Sequence, residues 1–337
     1  MPDRPSVSAE ADRAPDLSVI IVSWNVRDLL RACLASLMTD DRHLPFVLRP
    51  SSLEIIVVDN ASADGSATMV ATEFPQVRLI ANAENRGFTG GNNQGLALAR
   101  GCYIFFLNPD TEVSGEALAT MAAYLDAHPE VGVVGPQLRY GDGSPQSSRR
   151  RFPTLWSALF ESTPLAWHWP NNPWARRYRM EDQEAGDSGQ GAGREGQEVD
   201  WLVGAALMTR RTVLEQVGAF DEGYFMYSEE LDWCRRVKEA GWRIVYLPTA
   251  QIIHHEGKSS EQVVAARHIR FQTSKVRYFR KFHGPLAAQV LRAFILAAFA
   301  VEWVVEATKW LLGSRRSLRR DRMAAYRQLL ASRLAEP

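Results

Sequence analysis

Three apolar runs in this sequence end on residues able to bind a charged ligand. "LEIIVVDN" ends on Asp59 and Asn60, "CYIFFLNPD" on Asn108, Pro109 and Asp110, and the run that begins "RIVYLP" leads to His254 and His255 in "HHEGKSS". Pro109 cannot donate to a sheet ladder, so the strand before it should stop there and leave Asp110 at the carboxyl edge of a sheet, where open α/β sheets place ligands. A carboxylate at that edge suits a hard divalent cation whose other sites are filled by diphosphate oxygens; the plain alternative is a turn residue capping the segment after Ser114. Asp59 offers a similar pair of readings, either an acceptor for a base or ribose or a cap on the next helix. The two histidines are neighbours, so on a strand they face opposite ways and cannot hold one ion together, and one of them is expected to turn toward the edge that carries Asp110.

Two other stretches carry chemistry. "NRGFTGGNNQG" sets Gly87, Gly90, Gly91 and Gly95 among Asn85, Asn92, Asn93 and Gln94. Glycines at such a place allow a close-approaching backbone ahead of a helix, as a phosphate-cradling loop requires, although the spacing is not GxGxxG. "SEELDWC" holds Glu229, Glu230 and Asp232. Acids are favoured in a first helical turn, and Ser228 would cap a helix buried along Leu231, Cys234 and Val237. Acids this close also disfavour full ionisation, which moves one toward the range of a general base while the helix N-terminus pulls the other way.

The elements that must position these groups follow from periodicity. "LSVIIVSWN" is continuously apolar, as in a strand buried on both faces, and a helical stretch follows at 27–38. Strands at "LEIIVVDN", "VRLIAN" and "CYIFFLN" then alternate with helical segments, which predicts an α/β fold built on a single doubly wound, mostly parallel sheet with flanking helices. A helix at 115–128 and a strand at 131–138 extend the unit to about residue 140. The aromatic, proline-broken "RRRFPTLWSALFESTPLAWHWPNNPW" follows, and then the glycine-rich, charged "EDQEAGDSGQGAGREGQE", which is expected to be a mobile surface loop.

Composition limits the alternatives. With 337 residues and 46% hydrophobic content the chain can bury a large core, and its 39 basic residues balance 39 acidic ones, so it offers no general field for nucleic acid. Cys33, Cys102 and Cys234 are widely spaced in mostly apolar stretches, which suits reduced core thiols and a cytoplasmic setting rather than a disulfide frame. Residues 1–16 are polar and lack the apolar stretch of a signal peptide, so a disordered tail is expected. The stretch 286–312 is strongly apolar but broken by Arg292, Glu302, Glu306 and Lys309, and "SRRSLRRDR" follows it. An amphipathic helix over 286–320 that lies on the inner face of the cytoplasmic membrane fits this pattern, and so does a packing helix or a homodimer contact.

Taken in order and spacing, "SVIIVSWN", "IIVVDNASADGS", "NRGFTGGNNQG", "FLNPDTEV", the stretch from "GAALMTRR" to "KEAGW", and "HHEGKSS" resemble the family 2 glycosyltransferases, especially their rhamnosyltransferase-like branch. The resemblance spans roughly residues 17–262. It implies a GT-A fold with a C-terminal amphipathic helical segment added, a nucleoside-diphosphate sugar donor, and transfer with inversion to a glycan or lipid-linked acceptor. The implied layout is a tail at 1–16, a catalytic domain at 17–265 and a helical extension at 266–337. Within the catalytic domain, 17–140 is the nucleotide-sugar half and 141–265 the acceptor half, with its loop at 181–198.

The resemblance also implies residue roles. Asp59 and Asn60 would meet the base or ribose, and Asn85, Gly87 and Asn93 would line the donor site. Asn108-Pro109-Asp110 stands where the family has Asp-x-Asp, which leaves Asp110 as the carboxylate for Mg2+ or Mn2+, with His254 helping to hold the metal or diphosphate. Glu230 stands at the position of the base, with the choice among Glu229, Glu230 and Asp232 open. Trp201, Gly204, Ala205 and Arg151 would flank the acceptor. Two other classes share parts of the pattern: a nucleotidyltransferase, which would release pyrophosphate from a nucleoside triphosphate, and a sugar-nucleotide sensor, which would bind the donor without turnover.

Overall fold

The computed structural model describes residues 15–38, 53–181, 196–255, 264–313 and 315–335. The expected tail and most of the expected loop at 181–198 lie outside the described residues, as does 256–260 of "HHEGKSS".

The described chain begins as β1 (Leu17–Ser23), α1 (Arg27–Leu37), β2 (Leu53–Asp59), α2 (Ser66–Glu73), β3 (Arg78–Ala81), α3 (Gly87–Leu98) and β4 (Tyr103–Leu107). It continues through β5 (Thr111–Val113), α4 (Gly115–Ala127) and β6 (Val131–Arg139). After it come β7 (Pro145–Gln146), β8 (Arg149–Arg150), the short helices α5 (Leu155–Phe160), α6 (Pro164–His168) and α7 (Pro173–Tyr178), and the strands β9 (Gln197–Glu198), β10 (Trp201–Leu202) and β11 (Ala206–Arg210). The chain ends with α8 (Arg211–Val217), α9 (Glu229–Glu239), β12 (Arg243–His254), α10 (Val264–Leu311) and α11 (Arg316–Ser332).

These strands form one sheet of ten, whose main path runs β3-β2-β1-β4-β11-β6-β12-β5, while β8 and β10 pair separately. The doubly wound unit expected from the apolar runs is present. Its first strands, β3-β2-β1-β4, are parallel, as are β6 and β12. The arrival of β11 between β4 and β6, antiparallel to both, was not anticipated. Two reversals restore direction, so β1, β2, β4 and β12 all point their carboxyl ends to one edge.

The apolar runs are continuous because the sheet is covered twice. Ile20, Val22, Ile56, Val58, Ile104 and Phe106 face one core layer, and Val19, Ile21, Ile55, Val57, Phe105 and Leu107 face the other. This is the period-two alternation of a strand with both faces buried. The C-terminal extension shares the first of these layers, through Tyr278, Phe279, Leu291, Ile295 and Phe299. Helix α10 is broken once, at Gly284 (φ +86°), immediately before Pro285.

The glycine-rich stretch corrects the reading of a phosphate-cradling loop ahead of a helix. It is itself helix α3, and its glycines let that helix lie close on the sheet. A Cβ on Gly91 would sit 2.8 Å from a methyl of Val22, and one on Gly95 would sit 2.4 Å from a methyl of Ile20. Glycine costs an ordinary helix about 1 kcal/mol relative to alanine, so its use here reflects the tight contact. Gly95→Ala should therefore destabilise the protein by roughly 1–3 kcal/mol through overpacking, where an exposed helix would gain stability from the same change. Urea unfolding measures the difference, and an unchanged or higher midpoint would contradict the close-packing account.

Candidate active site

The last strand is longer than "RIVYLP". It runs on past a register shift between Leu247 and Gln251 and pairs antiparallel with β5, with Ile252 opposite Val113 and His254 opposite Thr111. The His255 amide donates to the Asp110 carbonyl at 2.8 Å. This ladder, rather than any local motif, sets His254 Nε2 3.4 Å from Asp110 Oδ1 with both side chains buried. His255 points the other way, its Nε2 lying 2.7 Å from a Glu112 carboxylate oxygen. Ser114, not Asp110, caps the following helix by accepting from the Ala117 amide.

His254 Nδ1 lies 2.9 Å from Gln146 Oε1, an oxygen that can only accept, so Nδ1 donates there and Nε2 is the nitrogen turned to Asp110. That Nε2 is buried and has no hydrogen-bond partner among the described residues. A ring held from behind by an amide oxygen, with a free nitrogen beside a carboxylate, is the arrangement of a metal ligand and its supporting group. Two neighbouring ligands at about 2.1 Å from one cation, at right angles, stand about 3 Å apart, so the spacing of Asp110 and His254 fits. No group of three or more His, Cys, Asp or Glu side chains suited to a metal occurs among the described residues, so further ligands would come from a bound diphosphate or water.

Asp110 and His254 open into a cleft also lined by Asn60, Asn85, Gly87 and Asn108, so five of the expected donor-site residues, Asp110 among them, share its wall. Asn60 Nδ2 donates to the Gly87 carbonyl at 2.8 Å, and Asn85 Oδ1 accepts from the Gly87 amide at 2.9 Å. Gly87 is in a left-handed conformation (φ +77°), and a Cβ there would stand 2.3 Å from the Phe225 carbonyl, so only glycine fits. Phe225, Met226 and Tyr227 also line the cleft, as do Arg267 and Arg270 from the start of α10. The Arg270 guanidinium lies 4.0 Å over the Phe225 ring, and burial lowers its pKa from the ordinary arginine value. Sequence reading missed both arginines, although their i, i+3 spacing just beyond "HHEGKSS" puts them on one helix face.

Buried polar atoms are ordinarily paired. Along this carboxyl edge Ser23 Oγ, Asp59 Oδ1 and Asn108 Oδ1 lack a partner among the described residues. Asp59's other oxygen accepts from the Ser62 amide at 3.0 Å, so Asp59 closes a turn and keeps one acceptor free. Asn93 is not on the wall; its side chain holds the backbone of Phe220 and the carboxylate of Glu222.

The acid cluster separates into distinct environments. Asp232 is enclosed, bonded to Arg236 Nε at 2.8 Å, Lys281 Nζ at 2.7 Å and the Tyr224 hydroxyl at 3.2 Å. It is thus the centre of a buried ion-pair cluster. Glu229 and Glu230 each keep a buried carboxylate oxygen with no partner among the described residues. Ser228 precedes them in a left-handed conformation and makes no side-chain cap.

Glu230 packs on Gly204, where a Cβ would meet its side chain at 3.4 Å, and the carbonyl of the next residue, Ala205, accepts from the Asn108 amide at 2.9 Å. Glu230 thus stands next to the loop that carries Asp110, and it is not one of the cleft-lining residues. Trp201 is enclosed rather than displayed: its indole donates to the Arg151 carbonyl at 2.9 Å, and the Arg151 amide donates to the Tyr178 carbonyl at 2.9 Å.

Burial pushes the Glu229 carboxyl well above the ordinary value of 4.5, and the charge of Glu230 adds to that. Burial also raises Glu230, against the pull of the Gly204 and Leu231 amides. A carboxyl whose pKa rises on folding favours the fold most below its unfolded value, and that contribution is lost as pH climbs toward the folded value. Glu229→Gln should therefore gain melting temperature over the parent as pH rises from about 4.5 to about 8. Thermal unfolding across that range tests this, and a difference independent of pH would contradict a buried charge at Glu229.

The family profile described as glycosyl transferase family 2 matches residues 18–218, which hold Asp59 and Asp110 but stop short of Glu230 and His254. A Mycobacterium tuberculosis protein named N-acetylglucosaminyl-diphospho-decaprenol L-rhamnosyltransferase is 31% identical over 255 residues, covering 72% of this chain and 77% of its own. The rhamnosyltransferase WbbL of Escherichia coli K12 is 26% identical over 245 residues, covering 70% and 82% respectively. In structure the chain is similar to a mannosyltransferase from Pyrobaculum calidifontis solved with GDP-Man and Mn2+, at a TM-score of 0.51 and 19% identity over 96% of this chain and 87% of that one. That likeness is one of fold and covers nearly the whole chain. Matched by its profile over more than half its length, and by relatives in the rhamnosyltransferase branch, the chain belongs to glycosyl transferase family 2 and is a glycosyltransferase of the GT-A fold.

Proposed function

We propose that the chain transfers rhamnose from a nucleoside-diphosphate donor to a hydroxyl of a lipid-linked glycan, with inversion, at the cytoplasmic side of a membrane. The observation that carries the reading is the Asp110–His254 pair, 3.4 Å apart at the sheet edge, with Arg267 and Arg270 in the same cleft. The names of the relatives support the sugar and the lipid-linked acceptor. The apolar wall of Phe225 and Met226 suits the methyl group of a 6-deoxy sugar.

Asp110 and His254 would hold a divalent cation, Mg2+ or Mn2+, whose chemistry is to neutralise the diphosphate as it leaves. Arg267 and Arg270 orient the same diphosphate and take part of its charge, which compensates for Asn108 at the place of the family's first acid. Asn60, Asn85 and the tight Gly87 turn shape the nucleotide side of the cleft, and Asp59 keeps one acceptor for the ribose or base. Glu230, its pKa raised by burial, accepts the proton of the acceptor hydroxyl. As that oxygen bonds to the anomeric carbon, the bond from carbon to diphosphate oxygen breaks. Gly204 lets the Glu230 side chain pack directly against the backbone.

Glu230→Gln should lower kcat by about a hundredfold to ten-thousandfold while the donor's dissociation constant stays within about twofold, since a general base contributes at that scale. Parent-like turnover in a product assay would dismiss this base. Asp110→Ala should abolish the gain in dTDP-rhamnose affinity that Mn2+ gives the parent. Titration calorimetry with and without the ion reads that gain, and a variant that retains it would place the ion elsewhere. Thermal shift across dTDP-, UDP- and GDP-linked sugars tests the donor, and a larger shift with a UDP- or GDP-hexose would overturn rhamnose.

A further inference from the structure

After its break at Gly284, helix α10 is apolar on two sides. Its inner side is buried in the protein through Ala288, Leu291, Ile295 and Phe299. Its outer side carries Leu286 (78% exposed), Val290, Val301 (61%), Val304 (57%) and Leu311 (70%) at spacings that keep them on one stripe. Ala293, Ala297 and Ala300, all exposed, fill the gaps between them. A surface helix of a soluble protein turns charged residues outward, so a stripe of this kind signals a second cover.

An aromatic patch from the proline-broken stretch of the sequence lies against the inner side of the same helix. Trp167, 52% exposed, meets Phe299 of α10 edge-on at 6.5 Å between centroids. Trp169, Trp174 and Trp156, also exposed, follow one another through ring contacts at 5.9 Å. Exposed Arg176 and Arg177 adjoin Trp174 in sequence, and exposed Arg315, Arg316 and Arg320 follow the end of the stripe.

We propose that the outer stripe of α10, with the exposed tryptophans of 156–174 at its flank, docks the protein flat on an anionic lipid bilayer. The helix is long and apolar enough to cross a membrane by length and composition. Its inner side is already taken by the protein core, so it lies on the bilayer rather than in it. Tryptophan rings favour the headgroup boundary, where one side is apolar and the other wet, and arginines at both margins need anions. Charge decides between covers: a second copy of the chain would bring the same arginine-flanked face, whereas acidic headgroups supply the missing charge. Glu306 does not oppose this, being buried and paired with Arg319 at 2.7 Å. The surface is independent of the chemistry in the cleft, so its test does not rest on donor or acceptor identity.

Vesicle co-sedimentation of the full chain tests the proposal, with phosphatidylcholine alone and with phosphatidylglycerol added. Binding should appear with phosphatidylglycerol and fall as salt rises, with tryptophan emission shifting to the blue. Val301→Asn with Val304→Asn alters exposed positions only and should weaken binding at least tenfold without changing the melting temperature. Arg315→Ala, Arg316→Ala and Arg320→Ala together should weaken it about a hundredfold, at roughly 1 kcal/mol per arginine. Protein that stays in the supernatant with acidic vesicles would overturn the proposal. Light scattering that shows a dimer which the Val301 and Val304 changes dissolve would do so as well, and would assign the stripe to a second copy.

Discussion

The short antiparallel ladder between β12 and β5 is the contact on which the site depends. Ile252 and Val113 are buried beside each other at its inner end, and the Val113 amide donates to Ser36 Oγ at 3.0 Å, which ties the ladder to α1. Side chains alternate along a strand, so a slip of one residue would exchange His254 for His255 and present the cleft with a ring that now faces solvent. The buried isoleucines on either side of the register shift make that slip costly. A few backbone pairs thus decide which of two adjacent histidines meets Asp110.

Charge at the same edge is governed by burial more than by the helix terminus. Glu229, Glu230 and Asp232 share the first turn of α9. Asp232 is matched by Arg236 and Lys281, so its charge is compensated in place. The two glutamates have no such cations among the described residues, and desolvation raises them despite the amides that point at Glu230. One turn of helix therefore holds a fully paired anion and two carboxyls that resist ionisation, and that difference in surroundings is what distinguishes a structural acid from a proton acceptor.

Much of this was legible in the sequence. Apolar runs buried on both faces mark the parallel strands, and the polar residues that end them fall where the strands end, so Asp59, Asn60, Asn108 and Asp110 were found at the right edge. The stripe of Leu231, Cys234 and Val237 was read correctly on α9. What escaped was set by distant parts of the chain. Asn93 looked like a donor ligand because its neighbours did, yet it serves the 220–222 turn. The glycines of α3 looked like loop residues because their packing partners, Val22 and Ile20, lie about seventy residues earlier. Arg267 and Arg270 sit on a helix whose approach to the cleft no local pattern announces, and the length of β12 was hidden by Pro248, tolerated at its register shift.

The place of β11 also bears on how the protein is made. It is contributed by residues 206–210 but lies between β4 and β6, strands completed by residue 139. Until it arrives, a chain emerging from the ribosome has β4 as an open edge, with Phe105 and Phe106 beside unpaired amides and carbonyls, a surface prone to pairing with other chains. Gly87 waits longer still, since the Phe225 carbonyl that receives the Phe88 amide is synthesised more than a hundred residues later. Such separations slow folding and favour assistance during synthesis. The mature cleft is thus a late product of a sheet that closes from its middle.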